Sequence, residues 1–255
     1  MKNRYTAFLL LFFSLPLLGW SQQSMLRDTS LVENRIAYQN EYRVGVLLHS
    51  SGFGLYMRKA KRDNAFKKHF WEAGAMYHRS LKEIRTTNFN YPYSKSYVYG
   101  KLNDIFLTRL GVGGERRVAS KPFYGGVAVN FNYAGGLSVV LAKPVYLYVF
   151  SFSGTPIGDE KLVLRKYDPD EHFYDNIYGR ASFFSGVREI RFYPGVYARA
   201  GFDFEFGVYE PVIQSLELGL AFDLSPVPVP VMAFTDPINL FTHFYLSFSL
   251  GKRYN

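Results

Sequence analysis

The sequence predicts an all-β chain, an antiparallel β-barrel that crosses a membrane, and three observations lead to it. The last third holds three long runs in which every second residue is apolar, many of them aromatic. An apolar leader opens the chain, and no later window is long and apolar enough to form a spanning helix. Aromatic residues make up 18% of the chain, which suits the girdles that barrels place where lipid tails meet water.

The three runs are explicit. Val196, Ala198, Ala200, Phe202, Phe204, Phe206 and Val208 alternate with Tyr197, Arg199, Gly201, Asp203, Glu205 and Gly207. Val212, Gln214, Leu216, Leu218, Leu220, Phe222 and Leu224 alternate with Ile213, Ser215, Glu217, Gly219, Ala221 and Asp223. Thr242, Phe244, Leu246, Phe248 and Leu250 stand against His243, Tyr245, Ser247, Ser249 and Gly251. Strand side chains point to opposite faces with period two, so each run has one apolar and one polar face. The even-numbered face, with Phe202, Phe204, Leu218, Leu220, Leu246 and Phe248, is expected against lipid.

The leader begins with Lys2 and Arg4, continues through an apolar stretch over 7–18, and leaves by Gly19, Trp20 and Ser21. A basic head, a short apolar middle and a small-residue exit describe a secretory signal peptide. The apolar stretch is shorter than the roughly 20 residues a spanning helix needs. The expected division is a signal peptide at 1–22, a periplasmic lead-in at 23–40, and a barrel at 41–255 with a long loop region at 135–194. An exported chain without a spanning helix meets hydrocarbon as a closed barrel, because every backbone polar group must be bonded within the protein. With no cysteine in the chain, disulfides, thiolate metal sites and cysteine acylation are excluded.

The first strand is expected at Tyr42, Val44, Val46 and Leu48, with a tight turn at Ser50, Ser51 and Gly52. Phe53, Leu55 and Met57 start the return, which ends in the basic stretch 58–62. Residues 69–79 form the third strand, and 80–96 a loop. The fourth runs over 97–112, with Phe106, Thr108, Leu110 and Val112 outward, and 113–121 turns the chain. The fifth carries Phe123, Gly125, Val127, Val129, Phe131 and Tyr133. Gly135 and Gly136 read either as a hairpin turn or as small residues inside one long strand. Residues 145–152 and 161–166 are strand-like around Ser-Gly-Thr-Pro-Ile-Gly-Asp, 167–176 is loop, and 181–192 holds a short helix. If these pieces stand outside the wall the barrel has eight strands, the count adopted here. If two of them join it, there are ten. Pro226, Pro228 and Pro230 lack a ladder donor and are expected outside the sheet, in a stiff loop.

The leader ending in Ser-Gln-Gln, the Phe53-Gly54-Leu55 return after Ser-Ser-Gly, and the final Leu-Ser-Phe-Ser-Leu-Gly-Lys-Arg-Tyr together resemble outer-membrane β-barrel proteins of Bacteroidetes-type bacteria. The resemblance implies fold and an outer-membrane location, and insertion by barrel-assembly machinery that reads the last strand. This chain departs from the strict form of that signal by ending in Lys-Arg-Tyr-Asn instead of a terminal aromatic.

The inward faces carry Arg43, Arg58, Glu72, Arg199, Asp203, Glu205, Glu217 and Asp223. An eight-stranded barrel has just enough interior for side chains to fill, and buried charges must pair, so these residues predict an ionic plug. The competing reading is a charged cavity or a small solute pore. His78 and Ser80 are similar to a His-any-Ser pair seen in outer-membrane lipid A deacylase barrels; the hydroxyl could attack an ester if the imidazole takes its proton. The orienting acid would be Glu72 or Glu83. The other histidines, His49, His69, His172 and His243, form no metal-site spacing, and Asp168, Asp170, Glu171 and Asp175 lack the glycine and order of a calcium loop. No cofactor or metal is expected.

The net charge of +9, spread along the chain and notable in 58–68 and 116–121, suits outer-membrane lipids and lipopolysaccharide as partners, with another envelope protein as a second partner class. An exported chain without a base-stacking motif excludes nucleic acid. The expected role is structural or interactive at the cell envelope, with the loops at 80–96 and 135–194 making the contacts. A lipid-modifying hydrolase built on His78 and Ser80 and a small solute pore are the alternatives.

Overall fold

The structure is a computed structural model and describes residues 38–91, 93–121, 126–152, 160–207 and 211–255. The expected signal peptide, most of the expected lead-in, the expected start of the fifth strand at Phe123 and the segment 153–159 lie outside the described residues.

Among the described residues thirteen strands follow in order. The first five are β1 (Asn40–His49), β2 (Gly52–Arg62), β3 (Lys67–His78), β4 (Arg85–Thr86) and β5 (Tyr97–Val98). Then come β6 (Asn103–Ala119), β7 (Ala128–Pro144), β8 (Tyr146–Phe152), β9 (Glu160–Lys166) and β10 (Ile177–Arg180). The last three are β11 (Arg191–Glu205), β12 (Val212–Val229) and β13 (Ile238–Tyr254). Eight of them close into one antiparallel barrel in the order β1-β13-β12-β11-β7-β6-β3-β2. The seam joins the first and last strands, from Asn40 opposite Tyr254 to His49 opposite Tyr245. Strands β10, β8 and β9 form a separate three-stranded sheet, and β4 with β5 a two-stranded one. The pieces between 145 and 180 therefore stand outside the wall, and the count is eight.

One end of the barrel carries Asn40, Tyr254 and the short connections after β2, β6 and β11. The described parts of the long connections 79–102 and 145–190 lie at the other end and build a cap. Its apolar centre is Tyr97, Val145, Leu147, Val149, Tyr167 and Ile177.

Strand boundaries differ from expectation where glycines were read as turns. Gly113 and Gly114 lie inside β6, which runs on to Ala119. A Cβ on Gly113 would sit 2.6 Å from the Phe70 ring, and one on Gly114 2.5 Å from the Tyr133 hydroxyl. These glycines make room for aromatic rings on either face of the wall. Of the two readings of Gly135 and Gly136, the structure has the second: both are small residues inside the 17-residue β7. Gly136 opposes Gly111 across the ladder, and a Cβ on Gly111 would meet the Tyr197 hydroxyl at 2.3 Å. Residues 97–98 belong to the cap hairpin, so the wall strand begins at Asn103. The basic stretch 58–62 is the second half of β2, with Arg58 buried inside and Lys59 and Lys61 outside. In place of a helix over 181–192 there is a single 3-10 turn at Val187–Glu189.

The proline segment is also corrected. Strand β12 extends to Val229, so Pro226 and Pro228 lie within extended chain rather than in a loop. The ladder to β13 nevertheless breaks between Leu224 and Val229. Pairing resumes at Val229 opposite Ile238, and across the irregularity before it no ladder donor is required, so proline is tolerated.

Candidate functional site

The wall is apolar outside and ionic inside. Val44, Val46 and Leu48 of β1, Leu55 and Met57 of β2, and Leu110 and Val112 of β6 are exposed on the outer surface. Phe202, Leu218, Leu246 and Phe248 stand there too, 38–48% exposed. Aromatic rings meet near both ends of this belt. Tyr77 lies 6.0 Å from Phe53 and 5.3 Å from Phe106 at the capped end. Tyr42 lies 6.4 Å from Tyr254 and Phe131 5.3 Å from Phe202 toward the other end. A soluble protein buries such a belt; a barrel in lipid presents it between aromatic girdles. Among the described residues no helix is long and apolar enough to cross a membrane. The chain is a closed eight-stranded antiparallel β-barrel with an apolar outer belt.

The charges fill the interior in layers, each close to balance. Near the end bearing the chain termini, Arg43 pairs with Glu41 at 2.9 Å and with Glu115 and Asp203 at 3.0 Å. Lys68 bridges Glu41 and Glu115 at 2.9 and 2.8 Å, and Arg253 reaches Glu205 at 2.6 Å. At mid-height two arginines face two glutamates. Arg58 contacts Glu217 at 3.1 Å and Glu72 at 3.5 Å; Arg199 contacts Glu72 at 2.6 Å and Glu217 at 3.5 Å. Tyr197 donates to Glu72, while Tyr245 and the Asn132 amide donate to Glu217. Above them Arg109 pairs with Asp223.

Every inward charge expected from the sequence lies in this plug. Glu41, Lys68, Arg109, Glu115 and Arg253 were missed. Lys68 falls one residue before the third strand expected at 69–79, and Glu115 in the turn expected at 113–121; alternation carried back to Lys67 and on past Gly113 and Gly114 is the signal that reveals them. Beside the plug, a void lined by Tyr56, Glu72, Arg109 and Arg199 holds about 20 Å³. That is room for about one water molecule and no solute path. Toward the cap the interior turns apolar, with Leu47, Met76, Ile105, Leu107, Val140 and Phe241 in one cluster.

Three histidines far apart in sequence meet at this transition. The His243 ring lies 4.6 Å from that of His49 and 5.3 Å from that of His78 by centroid, both edge-on. Among the described residues no group of three or more His, Asp or Glu side chains is placed to hold a metal ion. His78 also packs edge-on against Phe241 at 5.0 Å. Ser80 lies beyond the strand end, where its Oγ accepts the Lys82 N–H at 3.3 Å. Glu83 accepts the Ser80 N–H and pairs with Lys101 and Arg79, and Glu72 belongs to the mid-height layer. The two acids are thus engaged with cations, and His78 keeps company with rings. In the acidic loop, Asp168 accepts the Asp170 N–H at 3.0 Å, and His172 Nδ1 accepts the Asp168 N–H at 2.9 Å.

No protein-family model matches the sequence, and no curated protein matches it either. Among solved structures the chain is similar to Neisserial surface protein A, at 10% identity and a TM-score of 0.40, over 85% of this chain and 97% of that one. It is similar to Ail, the attachment invasion locus protein of Yersinia pestis, at 8% identity and a TM-score of 0.40, over 85% and 99%. The N-terminal β-barrel domain of Pseudomonas aeruginosa OprF follows at 6% identity and 0.35, over 85% and 99%.

Proposed function

We propose that this chain is an outer-membrane β-barrel protein with a sealed lumen, acting at the cell envelope through its cap. The observation that carries the reading is the inverted wall: an exposed apolar belt outside, balanced ionic layers within. A filled lumen favours an interaction role over solute passage. The cap offers the contact surface, since loops on a rigid scaffold carry specificity. Phe89 and Tyr93 are almost wholly exposed there, at 96% and 99%. The partner classes are envelope lipids, lipopolysaccharide among them, and a second envelope protein.

Two basic stretches support lipid contact. Lys59, Lys61, Lys67 and Arg116 point outward near the end that carries the termini, where they meet anionic headgroups of the periplasmic leaflet. The test is extraction of native membranes in mild detergent followed by affinity purification of the tagged barrel. Recovery in the outer-membrane fraction with stoichiometric lipid or protein is expected. Recovery entirely in the soluble periplasm overturns the reading.

A further inference from the structure

A cavity of about 590 Å³ opens at the capped rim of the barrel, within the size range of small-ligand sites. Its walls come from the β1–β2 turn, the loop 79–102, the start of β6, and strands β8 and β10. Phe53 and Tyr77 line it, and both belong to the outer face of the wall, in phase with Leu55 and Ala75. The cavity is therefore continuous with the lipid-facing surface and separate from the plugged lumen.

Its charges are unequal. Glu83 already holds Lys101 at 2.9 Å and Arg79 at 3.3 Å. Asp104 holds Lys101 at 2.8 Å and Lys143 at 3.0 Å. Burial works against the Lys101 charge, but Asp104 and Glu83 outweigh it and keep the ammonium above the usual lysine range. Both carboxylates are thus satisfied from within. Arg85 and Arg180 also line the cavity, are exposed, and form no ion pair among the described residues. Ser50, Ser51, Ser80 and Ser96 add hydroxyl groups. Two free guanidinium groups with hydroxyls nearby suit a phosphate on a hydroxylated headgroup, because the guanidinium fork matches phosphate oxygens.

Directly below, the outer face of β3 narrows to Ala75 and Ala73. Leu55 and Met57 flank them on β2, Thr108 and Leu110 on β6. Small residues between larger ones make a shallow apolar channel running from the cavity down the wall. We propose that the rim cavity seats the phosphate-bearing headgroup of an anionic lipid, with an acyl chain lying in the alanine channel of β3. This rests on the membrane placement proposed above.

The test uses the full barrel in zwitterionic detergent, with binding followed by native mass spectrometry. Three probes are compared: a diphosphorylated acylated glucosamine disaccharide, the same lipid without its phosphates, and glucose 1-phosphate. Arg85→Gln with Arg180→Gln is expected to weaken the phosphorylated lipid about tenfold or more, from the loss of two charge-assisted contacts. Ala75→Phe should weaken the lipid and leave glucose 1-phosphate unchanged. Heat-modifiable gel mobility checks that each variant keeps its barrel, and Ala73→Leu replaces Ala75→Phe if that variant loses it. Equal binding of the dephosphorylated lipid, or no effect of the arginine pair, overturns the proposal. An arginine effect alike on lipid and sugar phosphate, with the channel variant silent, assigns the site to a free sugar phosphate and overturns the lipid form. A barrel that stays monomeric and soluble without detergent would instead defeat the membrane placement itself.

Discussion

Glu217→Ala removes the most connected carboxylate of the mid-height layer. Arg58, Arg199, the Tyr245 hydroxyl and the Asn132 amide all lose a partner, and Glu72 is left between two guanidinium groups. Glu217 and Arg58 side chains are each 1% exposed, so water cannot take over. Breaking a buried pair from one side costs about 3–5 kcal/mol. The hydrogen bonds lost at Tyr245 and Asn132 set the expectation toward the upper part of that range. Adding Arg58→Met restores the charge balance, with Arg199 and Glu72 still paired at 2.6 Å. The double variant should therefore be more stable than Glu217→Ala alone, which is strong non-additivity. Urea unfolding in lipid vesicles measures both, read by the fluorescence of Trp71 on the outer wall and by gel mobility. A single variant costing under about 1 kcal/mol, or a double that costs the sum of its parts, would refute the closed ionic plug.

Leu218→Arg places a charge on the outer belt between Phe202 and Leu246, and should cost about 2–4 kcal/mol in the same assay, while Phe89→Arg in the cap leaves stability unchanged. In planar bilayers the purified barrel is expected to give no steady single-channel current; such currents would put the pore reading first. Ser80→Ala is expected to leave lipid-ester hydrolysis by purified protein at its unmodified level, and a clear fall would favour the hydrolase alternative instead. Burial lowers the pKa of His172 from its ordinary 6.5, and its Nδ1 accepts a hydrogen bond that only the neutral ring can take. Its contribution to the cap is therefore complete above that ordinary value and lost as pH falls through the lower folded value. Hydrogen exchange over 165–180 should speed up on acidification while the barrel keeps its gel mobility, and His172→Phe should abolish that step. Exchange indifferent to pH would count against it.

Strand identity and facing were legible wherever alternation ran unbroken. Residues 196–206 and 212–224 show which side chains face lipid and which face the lumen, and Arg199, Asp203, Glu217 and Asp223 follow directly. Legibility failed at Gly113 and Gly114, which in a soluble hairpin mark a turn but here mark the approach of Phe70 and Tyr133 to backbone. Reading that pair as a turn cuts β6 short and hides Glu115, and starting the third strand at His69 leaves Lys68 just outside it. The rim cavity was illegible for another reason: its residues run from Ser50 to Arg180, and only the stacking of two long connections brings them together. The histidine cluster likewise unites positions 49, 78 and 243, which no local spacing could announce.

The ionic layers also constrain how this molecule can be made. Arg43 is held by Glu115 and Asp203, which lie 72 and 160 residues further along the chain. Glu41 meets Arg253 only when the final strand arrives at the seam. If strands entered hydrocarbon one after another, each would carry its half of a layer into lipid with no counter-charge, at several kcal/mol per group. The neutral object is the finished cylinder, never a fraction of it. Curling and sealing must therefore precede or accompany full entry, and the first strand must be kept waiting, shielded from lipid, until the last one has been delivered.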